Sequence, residues 1–112
     1  MINEALNTTD ERILDRIKQS LILCAERNYP VLTIGNGGSA AIAEHWSCDH
    51  TKGIRDDVAL FPNVTNLASN MSLMTAIAND MSYEEVFSRQ IGYCNAEFAT
   101  VLPFHLLVLL LT

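Results

Sequence analysis

Apolar and polar positions follow two periods along this chain, and the switches between them divide it into helices and strands. From Thr8 to Asn28 the residues Ile13, Leu14, Ile17, Leu21, Cys24 and Ala25 recur at helical spacing, which predicts an amphipathic helix. Thr8 with Glu11 forms a capping-box pattern at its start, and Asn28-Tyr29-Pro30 ends it. Val31-Leu32-Thr33-Ile34 is a short β-branched run of the kind found in buried parallel strands. The run Gly35-Asn36-Gly37-Gly38-Ser39 follows, and then a helix from about Ala40 to Asp49. The polar stretch His50 to Asp57, which holds Gly53, reads as a loop. After an interruption at Pro62 and Asn63, a second strand is expected near Val64 to Leu67. Asn70 to Asn79 reads as a helix through Met71, Met74, Ile77 and Ala78, and Asn79-Asp80-Met81 breaks it. Ser82-Tyr83-Glu84-Glu85 is a second capping box, opening a helix to about Gly92 with Val86, Phe87 and Ile91 inside. Trp46 and Phe87 read as core aromatics.

Helices that alternate with strands predict an α/β fold built on a parallel sheet with crossover helices. The sheet has two strands, or three if Ala99 to Leu102 is one, where an open α/β sheet usually has four or more. At 112 residues the chain is at most one small domain. Its apolar fraction of 49% and charged fraction of 18% belong to a globular protein rather than a disordered one. The net charge of −6, with seven scattered Lys and Arg, argues against a nucleic-acid partner. Any phosphate must therefore be held by backbone amides and hydroxyls. Cys24, Cys48 and Cys94 are an odd number without CxxC spacing, and Met1-Ile2-Asn3-Glu4 opens no signal peptide, so free thiols in a reducing cytoplasm are expected. The apolar run Val101 to Leu111 is too short to span a bilayer and contains Pro103 and His105, so no membrane partner is expected.

The candidate chemistry begins where the first strand ends in glycines just ahead of a helix. Glycines allow positive φ and close approach of a ligand to the main chain. The unpaired N–H groups of a first helical turn, with the positive end of the helix dipole behind them, then attract an anion. Ser39 can cap the helix and offer its hydroxyl to the same anion. Gly35-Asn36-Gly37-Gly38-Ser39-Ala40 also satisfies the dinucleotide fingerprint, but Asp56 and Asp57, the acids near the required distance, precede the second strand. A P-loop would need a Lys before the Ser, and none is there. A tight strand-to-helix turn without a ligand stays open. His45 and Asp49 lie four apart and share a helix face about two turns below the loop. Imidazole and carboxylate suit a divalent metal such as zinc, and they suit proton transfer, although spacing alone favours a surface polar pair. For Asn79-Asp80, spacing alone favours a helix end and turn.

Several ordered motifs raise this reading above the glycine loop alone. Gly35-Asn36-Gly37-Gly38-Ser39-Ala40-Ala41 with His45, Cys48-Asp49-His50-Thr51-Lys52-Gly53-Ile54, Leu73 to Asp80, and Ser82 to Gln90 together resemble the sugar isomerase (SIS) family, and within it the phosphoheptose isomerases. The resemblance runs from roughly Leu6 to Ile91. It implies a partial three-layer αβα, Rossmann-like fold with a parallel sheet, residues 1–96 forming the N-terminal part of the domain and 97–112 an apolar tail outside the family pattern.

The same resemblance implies that Asn36, Gly37 and Gly38 contact a phosphorylated sugar and that Ser39 holds its phosphate. It implies that Asn79 and Asp80 border the substrate and that His45 and Asp49 are zinc ligands, with Asp49 as the catalytic acid/base. The family usually has Glu at the position of Asp49, although a related subgroup carries Asp. The implied reaction is aldose–ketose isomerisation of sedoheptulose 7-phosphate to D-glycero-D-manno-heptose 7-phosphate by a homo-oligomer, tetrameric in the family, assembled here through the first helix. The family's second, Ser/Thr-rich phosphate loop and its later Gln and His ligands are not found, and two explanations of Ala99 to Thr112 compete: a natural short variant whose tail packs on the sheet, or, the favoured one, the product of a truncated or shifted frame. Little or no turnover by this chain alone is expected. The alternative is a non-catalytic SIS module that binds phosphosugars or another protein, of the kind that serves as a scaffold for a replication initiator.

Overall fold

A computed structural model describes residues 10–104 of the chain. The first helix, α1 (Glu11–Arg27), is capped by Asp10, whose Oδ1 accepts the Arg12 N–H at 2.9 Å. Thr8, the expected cap, lies outside the described residues. Asn28 closes the helix in the left-handed conformation with φ 58°. Strand β1 (Pro30–Ile34) follows, and Pro30 at its first position costs the ladder no central donor.

Helix α2 (Gly38–Cys48) passes without a break into a wider π-helical turn, Asp49–Ile54, and then into the short α3 (Arg55–Val58). The expected loop over His50 to Asp57 is therefore helical. Polarity suggested a loop because most of these side chains simply face solvent. The apolar or aromatic residues Trp46, His50, Ile54 and Val58 stand four apart and line one shared cleft. Exact steps of four drift around an α-helix of 3.6 residues per turn, and the wider π turn offsets that drift.

Strand β2 (Asn63–Asn66) begins one residue ahead of its expected position. Helix α4 (Met71–Asp80) is capped by Asn70, whose Oδ1 accepts the Leu73 N–H at 3.0 Å. The break expected at Asn79 comes after Asp80, so Asn79 and Asp80 form its last turn. The second capping box does not close as drawn from sequence. Ser82 is extended and makes no side-chain cap bond; a 3₁₀ turn, Tyr83–Glu85, leads into α5 (Val86–Cys94) instead. Strand β3 (Thr100–Pro103) is the third strand, one residue later than the expected Ala99 to Leu102.

The three strands are parallel in the order β2-β1-β3, with Val31 opposite Val64 and Leu32 opposite Val101. Central β1 carries the core: Val31 and Leu32 are each 2% exposed and Thr33 is fully buried. Val31 faces the side of α1 and α2, whose residues line a cleft with it. Leu32 points to the opposite face by strand alternation, and right-handed connection sends the α4–α5 crossover over that side. Helix α1 covers its sheet face incompletely. Ile13, Leu14 and Ile17 remain 54%, 51% and 45% exposed, and with the α2–α3 segment α1 borders an apolar cleft of about 420 Å³. Trp46 and Phe87 are half-buried rather than core residues, because among the described residues no further layer covers them. Among the described residues no helix is long and apolar enough to cross a membrane.

Candidate functional site

Because β2 lies on one side of β1 and β3 on the other, the direction in which successive strands are added reverses at the β1/β3 boundary. In open α/β sheets such a reversal opens a crevice at the carboxyl ends of the strands. The glycine loop leaves β1 at that end, and Pro103 of β3 stands beside Ile34. Phe104 seals the strand pair, its N–H donating to the Ile34 carbonyl at 3.0 Å.

Two glycines shape the loop for different reasons. At Gly35 a Cβ would lie 2.7 Å from both the carbonyl carbon and the oxygen of Ser39, so only glycine lets the helix start this close to the strand. Gly37 has φ 54° and ψ −123°, a conformation that L side chains rarely adopt. Gly37 is also the N-cap, which corrects the expectation for Ser39: the serine sits one residue inside the helix. The Asn36 carbonyl accepts the Ser39 N–H at 3.0 Å. The N–H groups of Gly37 and Gly38 meet no backbone carbonyl among the described residues. Ser39 is 7% exposed, and its hydroxyl also has no partner among the described residues. Two amides and a hydroxyl at a helix start are thus available to an anion.

The other expected residues occupy two places. His45 lies six residues beyond Ser39, about 9 Å along the helix axis. Its Nε2 is 3.4 Å from Oδ2 of Asp49, and the two side chains are 80% and 63% exposed. Asn79 and Asp80 are exposed in the last turn of α4, where Asn79 Nδ2 donates to Asp80 Oδ1 at 3.1 Å. A direct bond ties that region to the cradle: the Tyr83 hydroxyl donates to Asn36 Oδ1 at 2.5 Å. Asn36 and the turn after Asp80 are thereby brought together, whereas His45 and Asp49 pair with each other. Sequence reasoning gave Tyr83 no role, since a contact across 47 residues leaves no local pattern. The His50 ring turns to Trp46, on which it stacks with centroids 3.5 Å apart.

Zinc can be tested against these donors. An imidazole nitrogen and a carboxylate oxygen are ligands of the right kind. They are two, where a catalytic zinc takes three protein ligands, and no cluster of three or more His, Cys, Asp or Glu occurs among the described residues. The described residues do not complete a zinc site.

No protein-family model matches the chain. Over 85 residues it is 40% identical to a phosphoheptose isomerase of Coxiella burnetii, a match covering 73% of this chain and 42% of that protein. Over 98 residues it is 38% identical to a phosphoheptose isomerase of Helicobacter pylori, covering 79% and 47%. The solved phosphoheptose isomerase of Neisseria gonorrhoeae superposes with a TM-score of 0.73 at 27% identity, over 90% of this chain and 50% of that one. That of Francisella tularensis gives 0.76 at 24% identity over 89% and 51%, a likeness of fold alone. The chain spans less than half the length of these curated relatives. It is phosphoheptose isomerase-like in sequence, and its three-stranded parallel sheet with flanking helices is part of the same fold.

Proposed function

We propose that this chain supplies the N-terminal half of a phosphosugar isomerase site, acting on sedoheptulose 7-phosphate and its aldose isomer. The observation that carries the reading is the loop at the end of β1, where Gly37 and Gly38 present amides that no carbonyl of the described residues accepts, beside the Ser39 hydroxyl. In this reading Asn36, Gly37 and Gly38 contact the sugar phosphate, Ser39 holds the phosphate, and Asn79 with Asp80 borders the substrate. Charge on the anion is met by the helix-start amides and the positive end of the helix dipole.

Isomerisation moves a proton between neighbouring carbons through an enediol, which needs a base that takes the proton and returns it. Asp49 is the candidate, with His45 3.4 Å away to orient its carboxylate. Along the helix axis His45 lies about 9 Å from Ser39, comparable to the reach of an extended seven-carbon sugar from phosphate to carbonyl, and Asp49 about 15 Å, with both side chains leaning back toward the helix start. Zinc, if completed by ligands from elsewhere, would use His45 and Asp49 and polarise the carbonyl.

The exposure of His45 and Asp49 favours a second reading for the chain by itself, namely phosphosugar binding with little turnover. Calorimetric titration with sedoheptulose 7-phosphate and with unphosphorylated sedoheptulose tests the common core of both readings. Binding that requires the phosphate is expected; equal affinity for the two sugars would sink the cradle. Turnover of the bound sugar at a rate typical of enzymes would sink the second reading. We also read the chain as self-associating through the exposed apolar face of α1 and as cytoplasmic, in keeping with its three free cysteines.

A further inference from the structure

We propose that Tyr83 is a positioning residue of the phosphate cradle, turning Asn36 so that its Nδ2 amide group, and not its oxygen, faces the bound anion. The proposal rests on the cradle reading above. An asparagine amide offers an acceptor at one end and two donors at the other, and only the donor end attracts phosphate. The Tyr83 hydroxyl is 2.5 Å from Asn36 Oδ1. The end of the amide that faces the phenol is Oδ1, which accepts its hydrogen. Nδ2 is left as the free end.

The main chain of Asn36 is already committed, since its carbonyl accepts the N–H groups of Ser39 at 3.0 Å and Ala40 at 3.3 Å. What remains to be fixed is the rotation of the side chain, and Tyr83 fixes it. The phenol is itself well placed to do so: it opens the 3₁₀ turn closed by the Glu85 N–H on the Ser82 carbonyl at 3.2 Å. Tyr83 is 59% exposed, so core burial does not explain its position.

Tyr83→Phe keeps the ring and removes the donor. Titrating the full chain with inorganic phosphate, we expect Tyr83→Phe to weaken binding about fivefold, the worth of one ordinary hydrogen bond. Asn36→Ala weakens it as well, and the double variant binds like Asn36→Ala alone, because Tyr83 acts through Asn36. Independent effects that multiply overturn the proposal, as does unchanged affinity in Tyr83→Phe. A second measurement reads the side chain directly: the Asn36 amide pair in a heteronuclear NMR spectrum, assigned by its loss in Asn36→Ala. Tyr83→Phe should move that pair toward the position of a free asparagine. Phosphate binding with an unmoved pair overturns this proposal alone, whereas no phosphate binding by the unaltered chain overturns the cradle reading and this proposal with it.

Discussion

Gly35 and Ser39 approach so closely that a single methyl group on Gly35 would stand 2.7 Å from the serine carbonyl. The obstructing atoms are backbone in the first turn of α2, so relief requires the whole helix start to move. Gly35→Ala should therefore destabilise the fold by about 1–3 kcal/mol, the usual cost of overpacking. It should also abolish phosphosugar binding. Denaturant unfolding and calorimetry check both; a variant of native stability would show that the strand-to-helix turn is less tight than described.

Gly37 and its neighbour Gly38 separate backbone strain from ligand contact. Gly37→Ala forces a side chain into φ 54° and ψ −123°, and costs about 1–3 kcal/mol. At Gly38 an added Cβ meets nothing within 4 Å, and the residue is already helical. Gly38→Ala should leave stability unchanged or raise it by up to about 1 kcal/mol through helix propensity. If the anion rests on this turn, the same variant loses affinity while its unfolding midpoint holds. Retained affinity would move the anion away from Gly38.

A buried hydroxyl pair ties α2 to the sheet beneath the cradle. Ser47 Oγ donates to the Ala43 carbonyl at 2.8 Å, so its single hydrogen is spent, and Thr33 must be the donor in the 2.9 Å contact between the two hydroxyls. The two deletions are therefore unequal. Ser47→Ala strands a fully buried Thr33 donor and should cost about 1–3 kcal/mol, whereas Thr33→Val removes that donor, preserves shape and should cost less than about 1 kcal/mol. Urea denaturation of the two variants checks the order, and a reversed order would mean that the hydrogens run the other way.

The uncovered face of α1 gives a prediction about assembly. Ile17 is 45% exposed on a helix whose apolar side is only partly packed. Ile17→Asp should convert an associating chain into a smaller species in light scattering, with its helix content kept. An unaltered mass distribution would show that association, where present, uses another surface.

Elements with a strong local signature were legible in the sequence. The β-branched run at Val31 to Ile34, the glycine loop and the Asn70 helix start each depend on residues within a few positions, and each lies where the pattern put it to within about two residues. The segment after Asp49 was misread because polar, Gly53-containing sequence looks alike in a loop and on the solvent face of a helix. Its true signal was the spacing of Trp46, His50, Ile54 and Val58. The third strand was visible only as an alternative, since a strand of four residues has little periodicity to read. Within the site, the glycine loop and the His45–Asp49 pair follow from local geometry. The link between Asn36 and Tyr83 does not, because only the crossover from β2 to β3 brings those residues together.

The pair of His45 and Asp49 should behave as an incomplete metal site. Both side chains are well exposed, and an exposed pair four apart on a helix contributes about 0.3–0.5 kcal/mol, so His45→Ala should hardly change the unfolding midpoint. Zinc, by contrast, needs further ligands that the described residues do not bring to this face. The purified chain should therefore bind zinc weakly and lose it on gel filtration, with His45→Ala removing the remaining affinity. Asp49→Glu extends the carboxylate by one methylene, giving the residue usual in the resembling family, and should strengthen binding if the two side chains act as one chelate. Metal content and zinc titration of the three proteins measure this. Tight stoichiometric zinc in His45→Ala would place the metal elsewhere, and weaker binding in Asp49→Glu would show that the shorter carboxylate is the one this backbone is built to hold.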